Sequence, residues 1–265
     1  MLQIENVYKT FNPGTINEKH ALNGVALHLE LGDFCTIIGG NGAGKSTMLN
    51  AVAGVWPIDA GSISIDGINV TGMKEHQRAA FLGRVFQDPM TGTAATMEIQ
   101  ENMALAARRG KGRGLRWGIT KKEKDSYRER LKILDLGLED RLTAKVGLLS
   151  GGQRQALTLL MATLQQPKLL LLDEHTAALD PKTASKVLEI SDRIIQENKL
   201  TALMVTHNMR DAIEHGNRLI MMNEGQVILD IKGEEKKKLT IEQLLHKFEE
   251  VSGSEFVSDK ALLSK

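Results

Sequence analysis

Residues 39–47 read GGNGAGKST and contain the pattern G-x-x-x-x-G-K-S as Gly39, Gly44, Lys45 and Ser46. Glycines let the backbone turn tightly and direct successive N–H groups at anionic oxygens. The lysine can reach the β- and γ-phosphates of a nucleotide, and the serine hydroxyl can hold Mg²⁺. A glycine-rich turn that binds nothing is the alternative. It is disfavoured because Gly-Lys-Ser-Thr follows an apolar strand, so the pattern predicts a phosphate-binding loop.

A second group that could do chemistry is the acid pair Asp173 and Glu174, which ends the apolar run KLLLLDE. Phosphoryl transfer needs an acid that holds Mg²⁺ and a group that orients the attacking water. Asp173, at the carboxyl end of a predicted buried strand, suits the first role, and Glu174 suits that of general base. A charged strand end followed by a turn is the alternative. Together with the upstream phosphate loop, the pair predicts a phosphoryl-transfer site.

Both motifs stand where a predicted strand ends. The β-prone segment FCTII (34–38) precedes the phosphate loop, and MLNAVAG (48–54) follows it with helical spacing. A turn-rich connection containing Asn-Pro-Gly separates the first two strands. Glu-Gly-Gln joins the last two strands as a predicted hairpin. Further strands are expected at residues 2–8, 25–31, 62–67, 83–86, 168–174, 200–207, 217–225 and 226–231, and helices at 75–80, 99–109, 121–136, 152–164, 181–198 and 240–250.

Composition narrows the class of protein. The chain has 265 residues, 42% of them hydrophobic, which suits one sizeable domain or two small ones. Its formal net charge of +1 gives no argument for nucleic-acid binding. Cys35 is the single cysteine and is expected in the core. No apolar run approaches the roughly 18 residues of a membrane helix, and the first residues do not form a signal peptide. If the protein works at a membrane, another chain is expected to span it.

The sequence LSGGQ at residues 149–153 lies between the two motifs. Ser150 is placed to cap the helix that follows, and the N–H groups and dipole of that helix make a second anion site. An ordinary serine-capped helix is the alternative for these five residues alone. The order of phosphate loop (Walker A motif), LSGGQ and LLLLDE closely resembles the ATP-binding cassette (ABC) ATPases. The resemblance covers roughly residues 2–231.

This resemblance implies an α/β fold. The expected form is a P-loop NTPase core (RecA-like) with an N-terminal antiparallel β-subdomain and an inserted α-helical subdomain. The nucleotide-binding domain would span residues 1–232, with the α/β core at 1–87 and 165–232 and the helical subdomain at 88–164. Residues 233–265 would form a C-terminal helical tail, packed on the core or partly disordered.

The resemblance also implies roles for individual residues. Mg²⁺ would be held by Ser46, Gln87 and Asp173. Glu174 would act as general base, His207 would contact the γ-phosphate, and Lys45 and Gln87 would complete the catalytic set. Without the motifs, Gln87 and His207 would be plain polar residues at strand ends. The residues implied to bind ATP are Phe11, Gly39, Asn41, Gly42, Ala43, Gly44, Lys45, Ser46 and Thr47, with Ser150, Gly151, Gly152 and Gln153 of a second subunit.

One position carries an alternative, one matches the family pattern and one departs from it. Phe11 is assigned to stacking on adenine, with Tyr8 as its rival and plain packing as the alternative for both. Asp180 matches a loop that contacts the second subunit. His175 stands where the family commonly has proline. A metal-ligand role for His175 is not favoured, because no Cys or His partner has suitable spacing.

The function implied is ATP hydrolysis by a subunit of a bacterial ABC transporter. Two copies would form a head-to-tail homodimer with two sandwiched nucleotides, docked on a separate permease at the cytoplasmic face of the membrane. Stretches such as KTFNPGTINEKHALNG resemble importers that work with a substrate-binding lipoprotein and take up small solutes such as aromatic amino acids. An exporter subunit, or a soluble ABC ATPase acting on ribosomes or DNA, is the alternative. The basic segment 108–116 is either a solvated loop or a contact with anionic lipid.

Overall fold

The computed structural model describes residues 1–110 and 118–252. They divide into two compact units, one made of Met1–Phe81 with the chain from Leu200 onward, the other of Leu82–Lys199. The expected division into an α/β core and a helical subdomain at 88–164 stays a prediction. Of the basic segment, Arg108 and Arg109 are described, whereas Lys111, Arg113 and Arg116 lie outside the described residues.

The described residues form ten strands and nine α-helices. In chain order the strands are β1 (Leu2–Phe11), β2 (Lys19–Leu29), β3 (Phe34–Ile38), β4 (Ala60–Ile65), β5 (Ile68–Asn69), β6 (Leu82–Val85), β7 (Leu169–Asp173), β8 (Thr201–Val205), β9 (Arg218–Asn223) and β10 (Gln226–Lys232). The helices are α1 (Lys45–Ala53), α2 (Glu75–Arg78), α3 (Ile99–Ala107), α4 (Lys121–Lys132), α5 (Gly151–Thr163), α6 (Pro181–Glu197), α7 (Met209–Glu214), α8 (Glu234–Lys237) and α9 (Ile241–Ser252).

The first unit contains an antiparallel sheet in the order β2-β1-β4-β5. This confirms the expected N-terminal antiparallel β-subdomain. Strand β2 was expected to begin at residue 25, but it begins at Lys19, because β1 continues to Phe11 and pairs with it there. The Asn-Pro-Gly turn is therefore confined to residues 12–18, a shorter connection than the sequence predicted.

The same unit holds the strands β10-β9-β3-β8 of a second sheet. Strand β3 runs parallel to both β8 and β9, and all five of its residues are buried. Such burial on both faces explains why four of its five residues are apolar. The exception, Thr36, donates its hydroxyl to the carbonyl oxygen of Ala212. Strands β9 and β10 form the predicted antiparallel hairpin, with Asn223 opposite Gln226.

In the second unit, β6 and β7 pair in parallel and are accompanied by helices α3 to α6. Helix α4 ends at Lys132, four residues before the expected end, and Asp135 and Gly137 then adopt left-handed conformations that interrupt a helix. Arg109, which belongs to the basic segment, donates to the carbonyl oxygen of Ala162 in α5.

Helix α9, in the segment expected to form the tail, packs on the core of the first unit. Leu244 and Phe248 are buried with Met209, Ala212 and Leu219. The short helices α7 and α8 were not predicted, because four to six residues carry too little periodicity to be recognised. Within residues 1–110 and 118–252, no helix combines the length and the apolar composition needed to cross a membrane.

Candidate functional site

The phosphate loop leads from β3 directly into the N-terminus of α1. Gly44 occupies the N-cap with φ 100°, and a Cβ atom there would lie 2.6 Å from the carbonyl oxygen of Ala21. Glycine is therefore required on both conformational and steric grounds. Among the described residues no side chain caps α1. The first-turn N–H groups of a helix have no partner within the helix, so this terminus suits an anion.

Lys45 is the first residue of α1, and its side chain folds back over the loop. Its Nζ donates to the carbonyl oxygens of Gly39 at 2.7 Å and Gly40 at 3.0 Å, and the residue is only 7% exposed. These bonds hold the ammonium group against the backbone of the phosphate loop. The next side chain, Ser46, is exposed. A cation, an uncapped helix terminus and an exposed hydroxyl fit the phosphates of a nucleotide and a hydrated Mg²⁺.

The turn of the β9–β10 hairpin is hydrogen-bonded to the phosphate loop. The N–H of Gly225, in the hairpin turn, donates to the carbonyl oxygen of Ala43 at 3.1 Å. The carbonyl oxygen of Gly225 accepts from the N–H of Asn23 at 2.9 Å. The sequence indicated the hairpin but gave no signal that its turn would contact the loop.

His207 follows the carboxyl end of β8, which pairs in parallel with β3. The N–H of Thr206 donates to the carbonyl oxygen of Ile37 at 3.0 Å, which continues the pairing to the residue before His207. His207 therefore lies, exposed, at the same sheet edge as the phosphate loop. Burial raises the pKa of Asp211 on α7, and the charge of Glu214 raises it further.

Phe11 ends β1 and meets Trp56 edge-on, with ring centroids 5.0 Å apart. Tyr8, the alternative candidate for stacking on adenine, is 43% exposed. The sequence analysis did not single out Lys19, which pairs with Phe11 across β1 and β2. A Cβ atom built on Gly42 of the phosphate loop would lie 3.1 Å from Lys19 Nζ, so this lysine stands at the tip of the loop. The choice between Phe11 and Tyr8 stays a prediction.

The acid pair and Gln87 lie at one edge of the paired strands β6 and β7 in the second unit. Asp173 ends β7, and Gln87 stands just beyond β6, which runs parallel to it. Arg84 Nη2 lies 3.5 Å from Asp173 Oδ2, and the guanidinium group also stacks on the ring of Phe86 at 4.5 Å. No sequence motif pointed to Arg84, since the contact depends on the register of the two strands.

Glu174 has an unusual backbone conformation. Its φ of 44° lies in the left-handed region, which non-glycine residues rarely adopt. Its carbonyl oxygen accepts from the N–H of Ala177 at 3.0 Å, which closes a turn directly after β7. His175, the next residue, is buried.

The signature LSGGQ forms the start of α5, as predicted. Ser150 caps the helix by accepting from the N–H of Gln153 at 3.2 Å, and the Gln153 side chain accepts in return from the N–H of Ser150. A Cβ atom on Gly152 would clash with Thr183 Cγ2 of α6, so any larger residue would require the Thr183 side chain to move. The Gln155 side chain donates to the carbonyl oxygen of Phe86 at 2.9 Å, which ties α5 to the chain beside Gln87.

The predicted site residues thus fall into two groups. The first unit brings the phosphate loop and His207 to one sheet edge, with Phe11 on the neighbouring antiparallel sheet. The second unit brings Gln87 and the acid pair together, and connects them to the signature helix. The individual roles of these residues stay predictions.

Comparison with known proteins gives the family. The ABC transporter family model matches residues 22–177. A tyrosine transport ATP-binding protein of Clostridioides difficile is 45% identical over 250 residues, covering 94% of this chain and 99% of that protein. A thiamine import ATP-binding protein of Histophilus somni is 36% identical, covering 76% of this chain and 88% of that protein.

A solved structure indicates the same family. A dimeric ATP-binding cassette in a post-hydrolysis state, bound to ADP and Pi, is 31% identical and superposes with a TM-score of 0.74. The alignment covers 88% of this chain and 98% of that one. The chain belongs to the ABC transporter family, as one of its ATP-binding and ATP-hydrolysing subunits.

Proposed function

We propose that this subunit powers the uptake of a small solute, an aromatic amino acid such as tyrosine. The observation that carries the proposal is the likeness to a tyrosine transport ATP-binding protein over nearly the whole of both chains. The chain would lie at the cytoplasmic face of the membrane on a separate permease. A substrate-binding lipoprotein would deliver the solute from outside.

We propose the following division of labour for ATP hydrolysis. The phosphate loop binds the nucleotide, and its N–H groups and Lys45 contact the phosphates. Ser46, Gln87 and Asp173 present oxygen atoms, the ligands that Mg²⁺ prefers. When bound, the metal neutralises charge on the phosphate oxygens.

Glu174 would orient the attacking water and accept its proton, while Lys45 and His207 stabilise the charge that develops on the γ-phosphate. Phe11 would stack on the adenine ring. Support for the catalytic assignment comes from the positions of the two groups, each at the carboxyl ends of parallel strands, where ligands bind in α/β proteins.

We further propose that two copies close head to tail around two ATP molecules. The capped and tightly packed start of α5 supports this, because a rigid helix N-terminus can approach the γ-phosphate held by the other copy. Loss of the γ-phosphate would remove that contact and open the dimer, which is the step that drives the permease.

The test is purification of the subunit from gently solubilised host membranes, followed by identification of the proteins that accompany it. A multi-span permease with a lipoprotein that binds tyrosine would support the proposal. Labelled tyrosine uptake should be lost in cells that lack the chain and restored by the wild type, but not by Glu174→Gln. A permease without a receptor would indicate export, and ribosomal or DNA-bound partners would overturn the transport function.

A further inference from the structure

We propose that His175 is a positioning residue, which acts through Ser191 to hold the backbone of Glu174 in the conformation used for hydrolysis. The inference rests on the proposed role of Glu174 as general base. It assigns to His175 and Ser191 a part in the reaction, although neither is proposed to touch ATP or water.

The conformation of Glu174 needs support from its surroundings. At φ 44° the backbone is in a region where a side chain with a Cβ atom is sterically strained. Such conformations persist only where neighbouring structure holds them. The turn hydrogen bond from Ala177 to the carbonyl oxygen of Glu174 fixes one side of this residue. On the other side of Glu174, the next residue, His175, makes a buried side-chain contact.

That contact joins His175 to helix α6. His175 Nε2 lies 3.0 Å from Ser191 Oγ, and the residues are only 2% and 1% exposed. Ser191 Oγ also lies 2.8 Å from the carbonyl oxygen of Val187, to which it can only donate. A hydroxyl has one proton, so while Ser191 donates it to Val187, Ser191 accepts from His175 and Nε2 carries the proton. The bond therefore selects one tautomer and one ring orientation.

The helix that receives this bond is itself well fixed. Asp180 caps α6 by accepting from the N–H of Thr183 at 3.1 Å, and Pro181 occupies its first turn. The His175 bond thus connects the residue after Glu174 to a rigid element. The backbone angles of Glu174 set the direction of its Cα–Cβ bond, so loss of the His175 bond would shift the point from which the carboxylate extends. Proline at position 175 would remove the bond and favour an extended conformation at Glu174.

A buried polar pair that only stabilises the unit is the competing explanation. It predicts a lower melting temperature, with no separate effect on turnover. A positioning role predicts lower kcat with unchanged affinity for ATP, since neither side chain is proposed to contact the nucleotide. Misplacement of a catalytic group by about 1 Å can lower a rate by about 100-fold.

The experiment measures kcat and KM for ATP hydrolysis, affinity for a fluorescent ATP analogue, and the melting temperature. His175→Leu and Ser191→Ala each remove the bond, whereas His175→Gln and Ser191→Thr keep a donor and an acceptor. Ser185→Ala is the matched control, because Ser185 also bonds the carbonyl oxygen four residues earlier on α6 but is exposed. Glu174→Gln reports separately on the general base.

We expect His175→Leu and Ser191→Ala to lower kcat by about tenfold or more with the affinity for ATP unchanged. His175→Gln and Ser191→Thr should restore most of the rate, and Ser185→Ala should behave as the wild type. Two results overturn the inference: a kcat within about twofold of the wild type in both bond-removing variants, or a loss of rate that follows the melting temperature and is not rescued.

If Glu174→Gln hydrolyses ATP normally, the proposed role of Glu174 fails. If Glu174→Gln is inactive while His175→Leu is fully active, only the positioning role fails. The two failures are therefore distinguishable.

Discussion

Arg84 and Asp173 form a salt bridge between neighbouring strands, with Arg84 Nη2 3.5 Å from Asp173 Oδ2 and both side chains largely buried. The carboxylate proposed to hold Mg²⁺ therefore already has a cation beside it. A metal ion that binds Asp173 must compete with this guanidinium group, so Arg84 is expected to tune the metal requirement.

The first prediction is that Arg84→Gln lowers the Mg²⁺ concentration needed for half-maximal ATPase activity by about threefold, equivalent to about 0.6 kcal/mol. The reason is loss of the competing charge. ATPase activity is measured across a magnesium titration at constant ATP. Arg128→Gln is the control, because Arg128 pairs with Asp125 on the exposed face of α4. An unchanged or higher magnesium requirement in Arg84→Gln would contradict the prediction.

The second prediction concerns the general base. Glu174→Gln preserves the shape of the side chain but cannot accept a proton, so kcat should fall by at least about 100-fold while ATP binding is retained. Phosphate release and binding of a fluorescent ATP analogue are the measurements. Light scattering should show more dimer with ATP than in the wild type. Glu189→Gln, at an exposed position of α6, is the control, and normal turnover in Glu174→Gln would remove Glu174 from this role.

The third prediction concerns Lys19, which stands at the tip of the phosphate loop beside Gly42. Lys19→Gln should raise the KM for ATP by about threefold with little change in kcat, as expected for loss of one exposed charge contact. The difference from the wild type should shrink as salt is raised, because screening weakens that contact. Lys237→Gln, at another exposed position of the same unit, should leave KM unchanged. A salt-independent difference would exclude an electrostatic contact with the phosphates.

The fourth prediction concerns Cys35 in β3. Burial raises the pKa of this thiol from 9.0 to about 12. At pH 8 only about one thiol in 10,000 is then ionised, so the native protein should resist thiol reagents that label the unfolded chain within minutes.

The same shift links the stability of the protein to pH. The folded state holds the Cys35 proton more tightly than the unfolded state, so this contribution is fully present below pH 9. It is lost as the pH rises from 9 towards 12. Denaturant titrations of the wild type and Cys35→Ala should diverge in that range, and only the wild type should carry the cysteine-linked decrease. Rapid labelling of native Cys35 at pH 8 would contradict its burial.

The fifth prediction tests whether the tail belongs to the core. Phe248 on α9 is 3% exposed and packs with Met209 and Ala212. Phe248→Ala should lower the free energy of unfolding by about 3–5 kcal/mol, because it leaves a cavity under α7. His246→Ala, on the exposed face of the same helix, should change it by less than about 0.5 kcal/mol. Equal effects of the two substitutions in urea titrations would show that α9 is not part of the cooperative unit.

The sequence predicted those features that depend on residues close together in the chain. A serine cap lies three residues from the N–H that it accepts from, so the start of α5 was readable at Ser150. Asp180 caps α6 with the same spacing, but the sequence analysis did not single it out as a cap. The strand, phosphate loop and helix around Lys45 were readable for the same reason. Strand β2 was misjudged because its start at Lys19 is set by pairing with Phe11, across a turn whose length the pattern does not encode.

The sequence alone therefore predicted the chemistry: a phosphate loop, an acid pair and an anion-binding helix start, in the order typical of ABC ATPases. Only the tertiary structure decided which side chains support that chemistry. Three contacts between separate elements are examples: Arg84 with Asp173, Gly225 with Ala43, and Ser191 with His175. They arise from strand register and helix packing, which depend on the summed fit of many side chains, whereas a motif depends on a few neighbouring residues.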